Sequence, residues 1–160
     1  MLEHSVSTSA KINIQEISAQ DAVSEACESQ AQDLQACGGK VNISGAGFRL
    51  HADPTLLHLV LSNLLSNAIK YRHPARPLKI AIRLAGAGQD QWELSVSDNG
   101  TGFDPEDRLQ ILQPFHRAHR EIEGNGIGLS TCAEICRRHN WQLTADAEPG
   151  KGAVFTISFG

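Results

Sequence analysis

The sequence predicts an α+β fold, a two-layer α/β sandwich in which a mixed, mainly antiparallel sheet packs on three helices. Three observations predict it. Strand-like alternation comes in pairs, at residues 78–84 and 92–97 and again at 141–147 and 153–159. Turn residues separate the members of each pair, Gly86-Ala87-Gly88 in the first and Glu148-Pro149-Gly150-Lys151-Gly152 in the second. Three longer segments, 19–36, 53–71 and 127–139, carry helical composition or periodicity.

Taken in order, residues 11–17 alternate as a strand, and the helix at 19–36 stops at Gly38-Gly39. Residues 41–44 and 48–51 are short strand candidates. Asp53-Pro54 supplies an N-cap followed by proline at the first helical position, which starts the second helix. His73-Pro74 ends it, because the residue before proline is pushed out of the helical region. Leu57, Leu61, Leu64 and Ala68 recur at three- and four-residue steps and form its core face. The first strand pair then reads as an antiparallel hairpin. Asp104-Pro105 starts a short helix to about residue 112, and the polar, weakly periodic stretch that follows reads as part of a lid over 103–123.

A chain of 160 residues suits one domain, so one site is sought. The organisation expected is residues 1–10 as a linker or vector-derived remnant and residues 11–160 as the folded domain. Apolar residues make up 41%, which is globular usage and excludes a disordered or fibrous chain. Acidic residues outnumber basic ones, 18 to 14, and the basic residues are scattered, which argues against a nucleic-acid surface. No apolar run reaches membrane-spanning length, and residues 1–10 lack the pattern of a signal peptide. A soluble, cytoplasmic domain without membrane contact is expected, whether or not a parent protein carries an anchor. Cys27, Cys37, Cys132 and Cys136 lack zinc-site spacing and read as reduced thiols, the last two buried one helical turn apart.

The second helix has an unusual flank. Asn63, Asn67 and Lys70 lie at i, i+4 and i+7, which puts two amides and an ammonium on one stripe with Tyr71 at its edge. Asparagine is a mediocre helix former, and such a stripe offers what a hard cation and phosphate oxygens require. Asp98 ends a strand directly before Asn99-Gly100-Thr101-Gly102, aiming a carboxylate from the sheet where a base amine could meet it. Gly124-Asn125-Gly126-Ile127-Gly128 precedes the third helix, whose N-terminal amides suit phosphate. Taken singly, a solvated helix face or an ordinary Asx turn explains each of the first two features. A dinucleotide-binding loop fails because no strand feeds the glycines.

In order and spacing, residues 63–71, 98–102, Pro114-Phe115-His116-Arg117, 124–129 and Gly150-Lys151-Gly152 resemble the N, G1, F, G2 and G3 boxes of sensor histidine kinases. From about residue 12 onward the chain is similar to their catalytic, ATP-binding domain. That resemblance implies the Bergerat ATP-binding fold, shared with DNA gyrase, heat-shock chaperone and mismatch-repair ATPases.

By this resemblance the cofactors are ATP and Mg²⁺. Asn67, helped by Asn63, would coordinate Mg²⁺, and Lys70 would contact a phosphate. Tyr71 would border the adenine and Asp98 would accept from its amino group, with Gly100 and Gly102 leaving room for the base. Phe115 would anchor the lid and Arg117 would reach the terminal phosphates. The amides of Gly124, Asn125, Gly126, Ile127 and Gly128 would wrap the phosphate chain, with Leu129 packed behind. Asn67, Lys70 and Arg117 would carry the transfer itself. Phosphoryl transfer needs positioning and charge neutralisation more than a covalent group from this domain, and the resemblance places the base beside the accepting histidine of a partner domain.

The sequence departs from the family at several points. The phospho-acceptor helix is absent, and His4 in Glu3-His4-Ser5-Val6 does not resemble it, so the chain is expected not to phosphorylate itself. Asn125 stands where Thr or Ser is usual, Ala153 stands where Thr often follows the last glycine, and His139-Asn140-Trp141 replaces His-Gly-Gly. Asn140 retains access to the left-handed cap conformation. The expected partner is a dimerisation and phospho-acceptor domain, with a response regulator reached indirectly, and the isolated domain is expected to be a monomer. A free-standing anti-sigma or switch-protein serine kinase of the same fold is the alternative. A gyrase-like hydrolase is disfavoured because no Glu stands in the Asn-rich box to activate water.

Overall fold

Residues 11–88, 91–102 and 127–159 are described by a computed structural model of the chain. Among them the elements run β1 (Gln15–Ser18), α1 (Ala19–Ser29), α2 (Ala31–Ala36), β2 (Lys40–Gly45), β3 (Arg49–Ala52), α3 (Pro54–Lys70), β4 (Lys79–Gly88), β5 (Gln91–Asp98), α4 (Ile127–Arg138), β6 (Gln142–Glu148) and β7 (Gly152–Phe159). The main sheet has the order β2-β4-β5-β7-β6. Only its β2–β4 pair is parallel, so the sheet is mixed and mainly antiparallel, as the two hairpins predict. A separate antiparallel ribbon joins β1 to β3.

The helices form the second layer, with α3 packed between α1 and α4. The sheet face beneath them carries Ile80, Ile82, Leu84, Leu94, Val96, Phe155 and Ile157, all buried. Leu57, Leu61, Leu64 and Ala68 of α3 meet them, joined by Val60 and Leu65. Alternation along each strand and a three-to-four step along the helix thus converge on one core. An aromatic cluster closes the end of the sheet where β5 begins. Phe48 stacks on Trp92 at 4.8 Å, and Trp141 meets Phe159 edge-on at 4.8 Å.

The sequence suggests one helix over 19–36, and the structure breaks it at Gln30. The Ser29 hydroxyl donates to the Ala26 carbonyl at 2.7 Å, and the Gln30 N–H is shared between the carbonyls of Ala26 and Cys27. Side-chain competition for helix carbonyls is how serine bends or ends a helix. The first strand is also shorter than its alternation suggests, beginning at Gln15 where pairing with Ala52 begins. The helix expected at 104–112 and the lid at 103–123 lie outside the described residues.

Candidate functional site

Helix α3 starts where Asp53 caps it. One carboxylate oxygen of Asp53 accepts from the N–H groups of Thr55 at 3.0 Å and Leu56 at 3.2 Å, and the other accepts from Asn13 N–H at 3.0 Å. Two orphan amides of the first turn are thereby satisfied. Along the flank of this helix Asn63 and Asn67 are half-buried and Lys70 is exposed. The Asn63 amide is hydrogen-bonded to the thiol of Cys132 on α4, and that thiol donates to the Val60 carbonyl at 3.7 Å.

Beyond the end of α3 the Tyr71 carbonyl receives two donors from Thr101, the backbone N–H at 2.9 Å and the hydroxyl at 3.1 Å. This fastens the 98–102 loop to the helix end. Within the loop the Asp98 carboxylate accepts the Gly100 N–H at 2.8 Å, an Asx turn. Burial pushes the Asp98 carboxyl above its ordinary value, and hydrogen bonds from the Gly100 and Ala153 amides partly offset it. Asp98 lines an open cavity of about 300 Å³ together with residues of the β6–β7 hairpin, among them Glu148, Lys151, Gly152 and Ala153.

The glycines here have a steric reason. A Cβ on Gly102, at φ +68°, would stand 2.3 Å from the Glu148 carbonyl, and one on Gly152, at φ +129°, would stand 2.0 Å from the Asp98 carbonyl. Both positions need a backbone conformation and an approach that other residues cannot provide. Gly100 faces the Tyr71 carbonyl in the same way, at 2.5 Å. On the sides probed by a Cβ these glycines make room for the protein's own backbone.

One residue that sequence reasoning passed over belongs to this assembly. Arg76 donates from Nε to the Asn99 carbonyl at 2.8 Å and from Nη2 to those of Gly100 at 3.1 Å and Gly150 at 2.6 Å. Its partners lie 23, 24 and 74 residues away, so no local pattern signals them. Asn99 is tied in as well, accepting the Lys79 N–H at 2.8 Å and donating to the Pro77 carbonyl at 3.0 Å.

Helix α4 packs its Leu129, Cys132, Ile135 and Cys136 into the core. Burial pushes the Cys136 thiol up to about 12 and the Cys132 thiol well above the usual thiol range, with the neighbouring Cys136 adding to the latter. Both are structural thiols. The helix ends at Arg138, and Asn140 two residues on has a φ of 61°, the left-handed conformation its sequence permits.

Against known families, residues 52–160 match the model described as histidine kinase-, DNA gyrase B- and HSP90-like ATPase. More than half of the chain lies in that match. The chain belongs to this ATPase family. Among curated relatives, the phytochrome-like protein Cph1 of Synechocystis is 32% identical over 142 residues, covering 87% of this chain and 18% of that protein. The sensor-like histidine kinase SenX3 of Mycobacterium tuberculosis is 32% identical over 117 residues, covering 71% of this chain and 28% of that protein. The chain therefore spans less than a third of the length of either relative. Among solved structures, the mycobacterial sensor histidine kinase MprB superposes with a TM-score of 0.80 at 20% identity over 92% of this chain and 97% of that one. Full-length ShkA in complex with AMPPNP gives 0.85 at 18% identity over 99% of this chain and 34% of that one. At such identities these likenesses establish the fold.

In this member of the ATPase family, Tyr71, Asp98, Gly100 and Gly102 come together at one end of the molecule through the Thr101–Tyr71 and Gly100–Asp98 bonds. Asn67 and Lys70 occupy the last turn of α3 leading into Tyr71, and Asn63 lies one turn earlier against α4. Ile127 and Gly128 open α4, with Leu129 buried behind them. Phe115, Arg117, Gly124, Asn125 and Gly126 lie outside the described residues. Among the described residues no group of three or more His, Cys, Asp and Glu side chains is arranged to hold a metal ion. A cation here would depend on the amide oxygens of α3 and on oxygens of its own ligand.

Proposed function

We propose that the chain binds ATP·Mg²⁺ and donates the γ-phosphoryl group to a histidine on a separate dimerisation and phospho-acceptor domain. This is the catalytic step of a sensor histidine kinase in two-component signalling, with a response regulator as the eventual recipient. The observation that carries the reading is Asp98, a carboxylate raised by burial and set beside a cavity near the lower limit of small-molecule sites. Such a group gains most from a ligand that brings its own N–H donor, as the adenine amino group does. Membership of the ATPase family supports it, and so do relatives named as sensor histidine kinases.

In this reading Asp98 selects the base and Tyr71 borders it. The amide oxygens of Asn67 and Asn63 would hold Mg²⁺, which when bound neutralises charge on the phosphates. Lys70 and Arg117 add positive charge, and the amides of Gly124, Asn125, Gly126, Ile127 and Gly128 wrap the phosphate chain ahead of Leu129. The domain's work is positioning, and the acceptor histidine comes from outside. We place the domain in the cytoplasm and take it to be monomeric when isolated. No helix among the described residues is long and apolar enough to cross a membrane.

Mixing the chain with a separate helical phospho-acceptor domain, Mg²⁺ and labelled ATP tests the proposal. Acid-labile, base-stable phosphohistidine on the acceptor domain is expected. Label on serine of a partner protein, or ATP binding with no transfer to any histidine domain, would overturn it.

A further inference from the structure

Arg76 lies in His73-Pro74-Ala75-Arg76-Pro77, the irregular segment between α3 and β4, and it is half-buried. The segment is stiffened locally. His73 Nδ1 accepts the Ala75 N–H at 3.0 Å, and a proline following Arg76 disfavours the helical conformation there. The side chain leaves this support and ends on three carbonyl oxygens, those of Asn99 and Gly100 in one stretch and of Gly150 in another. Hydrogen bonds from a charged donor are stronger than neutral ones, and the planar guanidinium holds its donors in a fixed fork.

The two stretches it joins both contribute to the cavity, the first through Asp98 and the second through Glu148, Lys151 and Gly152. Arg76 and the three residues it bonds are not among the lining residues, so it acts on the lining through the backbone. A direct bond runs parallel to it, from the Gly150 N–H to the Thr101 carbonyl at 2.6 Å. The turn residue Gly150 is thus bonded through both its N–H and its carbonyl, the latter to Arg76. Each stretch carries two glycines, and a backbone hydrogen bond joins them.

We propose that Arg76 is a positioning residue for nucleotide recognition: by bridging the 98–102 and 148–152 segments it fixes where Asp98 stands relative to the 148–152 turn, and with it the fit of the adenine. The role rests on the ATP-binding reading above. Its reach is confined to the base end of the site, because its partners are in the 98–102 and 148–152 segments and none is in the Asn63, Asn67 and Lys70 stripe.

The test measures binding of ATP, ADP and AMP, and KM and kcat for phosphotransfer to a separate acceptor domain, in wild type, Arg76→Ala and Arg76→Lys. Arg76→Ala should weaken all three nucleotides by a similar factor, about tenfold or more, because three charge-assisted hydrogen bonds are lost. KM for ATP should rise by that factor while kcat at saturating ATP and the Mg²⁺ requirement of bound ATP stay within about twofold. Arg76→Lys retains the charge but lacks the fork that reaches both segments, so its melting temperature should stay near that of wild type while its KM remains raised. Should Arg76→Ala be too unstable to assay, Arg76→Lys decides the question alone. Wild-type KM in Arg76→Lys, a fall in kcat without a change in KM, or a loss confined to ATP would each overturn the role. A wild-type chain that binds no adenine nucleotide would overturn the ATP reading first, and this role with it.

Discussion

The imidazole Nε2 of His139 accepts the backbone N–H of Asp53 at 3.1 Å, joining the end of α4 to the start of α3 across 86 residues. An Nε2 that accepts leaves the proton on Nδ1, which lies 2.8 Å from the Ile135 carbonyl and donates to it. The ring also stacks on Trp141 at 4.1 Å. Asp53 caps α3 with its side chain, so His139 and Asp53 fix the relative position of the two helices that carry the candidate phosphate and metal residues. His139→Ala leaves the Asp53 amide without its partner, removes the stack, and takes away one of the two donors to the Ile135 carbonyl, which keeps the residue 139 N–H at 3.1 Å. It should cost about 2–3 kcal/mol of unfolding free energy. Urea denaturation measures this, and an unchanged midpoint would show the bond to be dispensable.

Glycines two positions apart should respond differently to the same substitution. At Gly152 an added Cβ would stand 2.0 Å from the Asp98 carbonyl, whereas at Gly150, with φ +79°, it would meet no atom within 4 Å. Gly150→Ala therefore carries only the left-handed backbone penalty, about 1–2 kcal/mol. Gly152→Ala adds a clash with backbone that must move, so it should lose about 3 kcal/mol or more and disturb Asp98 as well. Thermal melts of the two variants give the comparison, and equal losses would contradict it.

Much of the fold was legible because its signals are local. Asp53-Pro54 announces α3, alternation announces both hairpins, and the buried faces of α3, β4 and β5 are those their periods imply. What was hidden is set by distance or by competition. The break at Gln30 turns on the hydroxyl of Ser29 capturing a carbonyl, and the parallel pairing of β2 with β4 is decided by the sheet as a whole. At the site, the glycines of 98–102 were readable as a loop, but their close approach to Tyr71 and Glu148 was not. Arg76 gave no signal, since a lone arginine between prolines looks like any exposed loop residue.

The thiols of α4 should resist modification. Cys132 is fully buried and Cys136 nearly so, and with Cys136 pushed up to about 12 and Cys132 also raised, almost no thiolate exists near neutrality. Iodoacetamide at about pH 8 should label the native chain at no more than Cys27 and Cys37, and all four cysteines after denaturation. Mass spectrometry locates the labels. Rapid native labelling at Cys132 would mean that α4 opens readily.

Asn67 sits in the last turn of α3, on the stripe that also carries Asn63 and Lys70. If its amide oxygen holds Mg²⁺ on the nucleotide, Asn67→Ala should weaken Mg²⁺-dependent ATP binding about a hundredfold or more, exceeding the effect of losing a group that only orients a ligand. AMP, which lacks the bridging phosphates, should bind the variant as it binds wild type. Calorimetry with both nucleotides separates the outcomes, and an equal loss for AMP would place Asn67 elsewhere than on the metal.

Asp98 yields a pH dependence whose two halves have opposite sign. Burial is the dominant cause of its raised pKa, so the folded chain holds this proton more tightly than the unfolded chain does. The group's contribution to stability is therefore present below its unfolded value and lost as pH rises through the folded value. Adenine binding runs the other way, because the base amine needs the ionised acceptor and so gains affinity over the same interval. As pH rises above the ordinary carboxylate value the ligand-free wild type should lose stability relative to Asp98→Asn while its affinity for ADP increases, and Asp98→Asn should bind ADP weakly with a flatter pH profile. Paired melting and binding series measure both halves. A wild type whose stability and affinity change with pH in parallel with those of Asp98→Asn would show that this carboxylate is neither strained in the free protein nor engaged by the base.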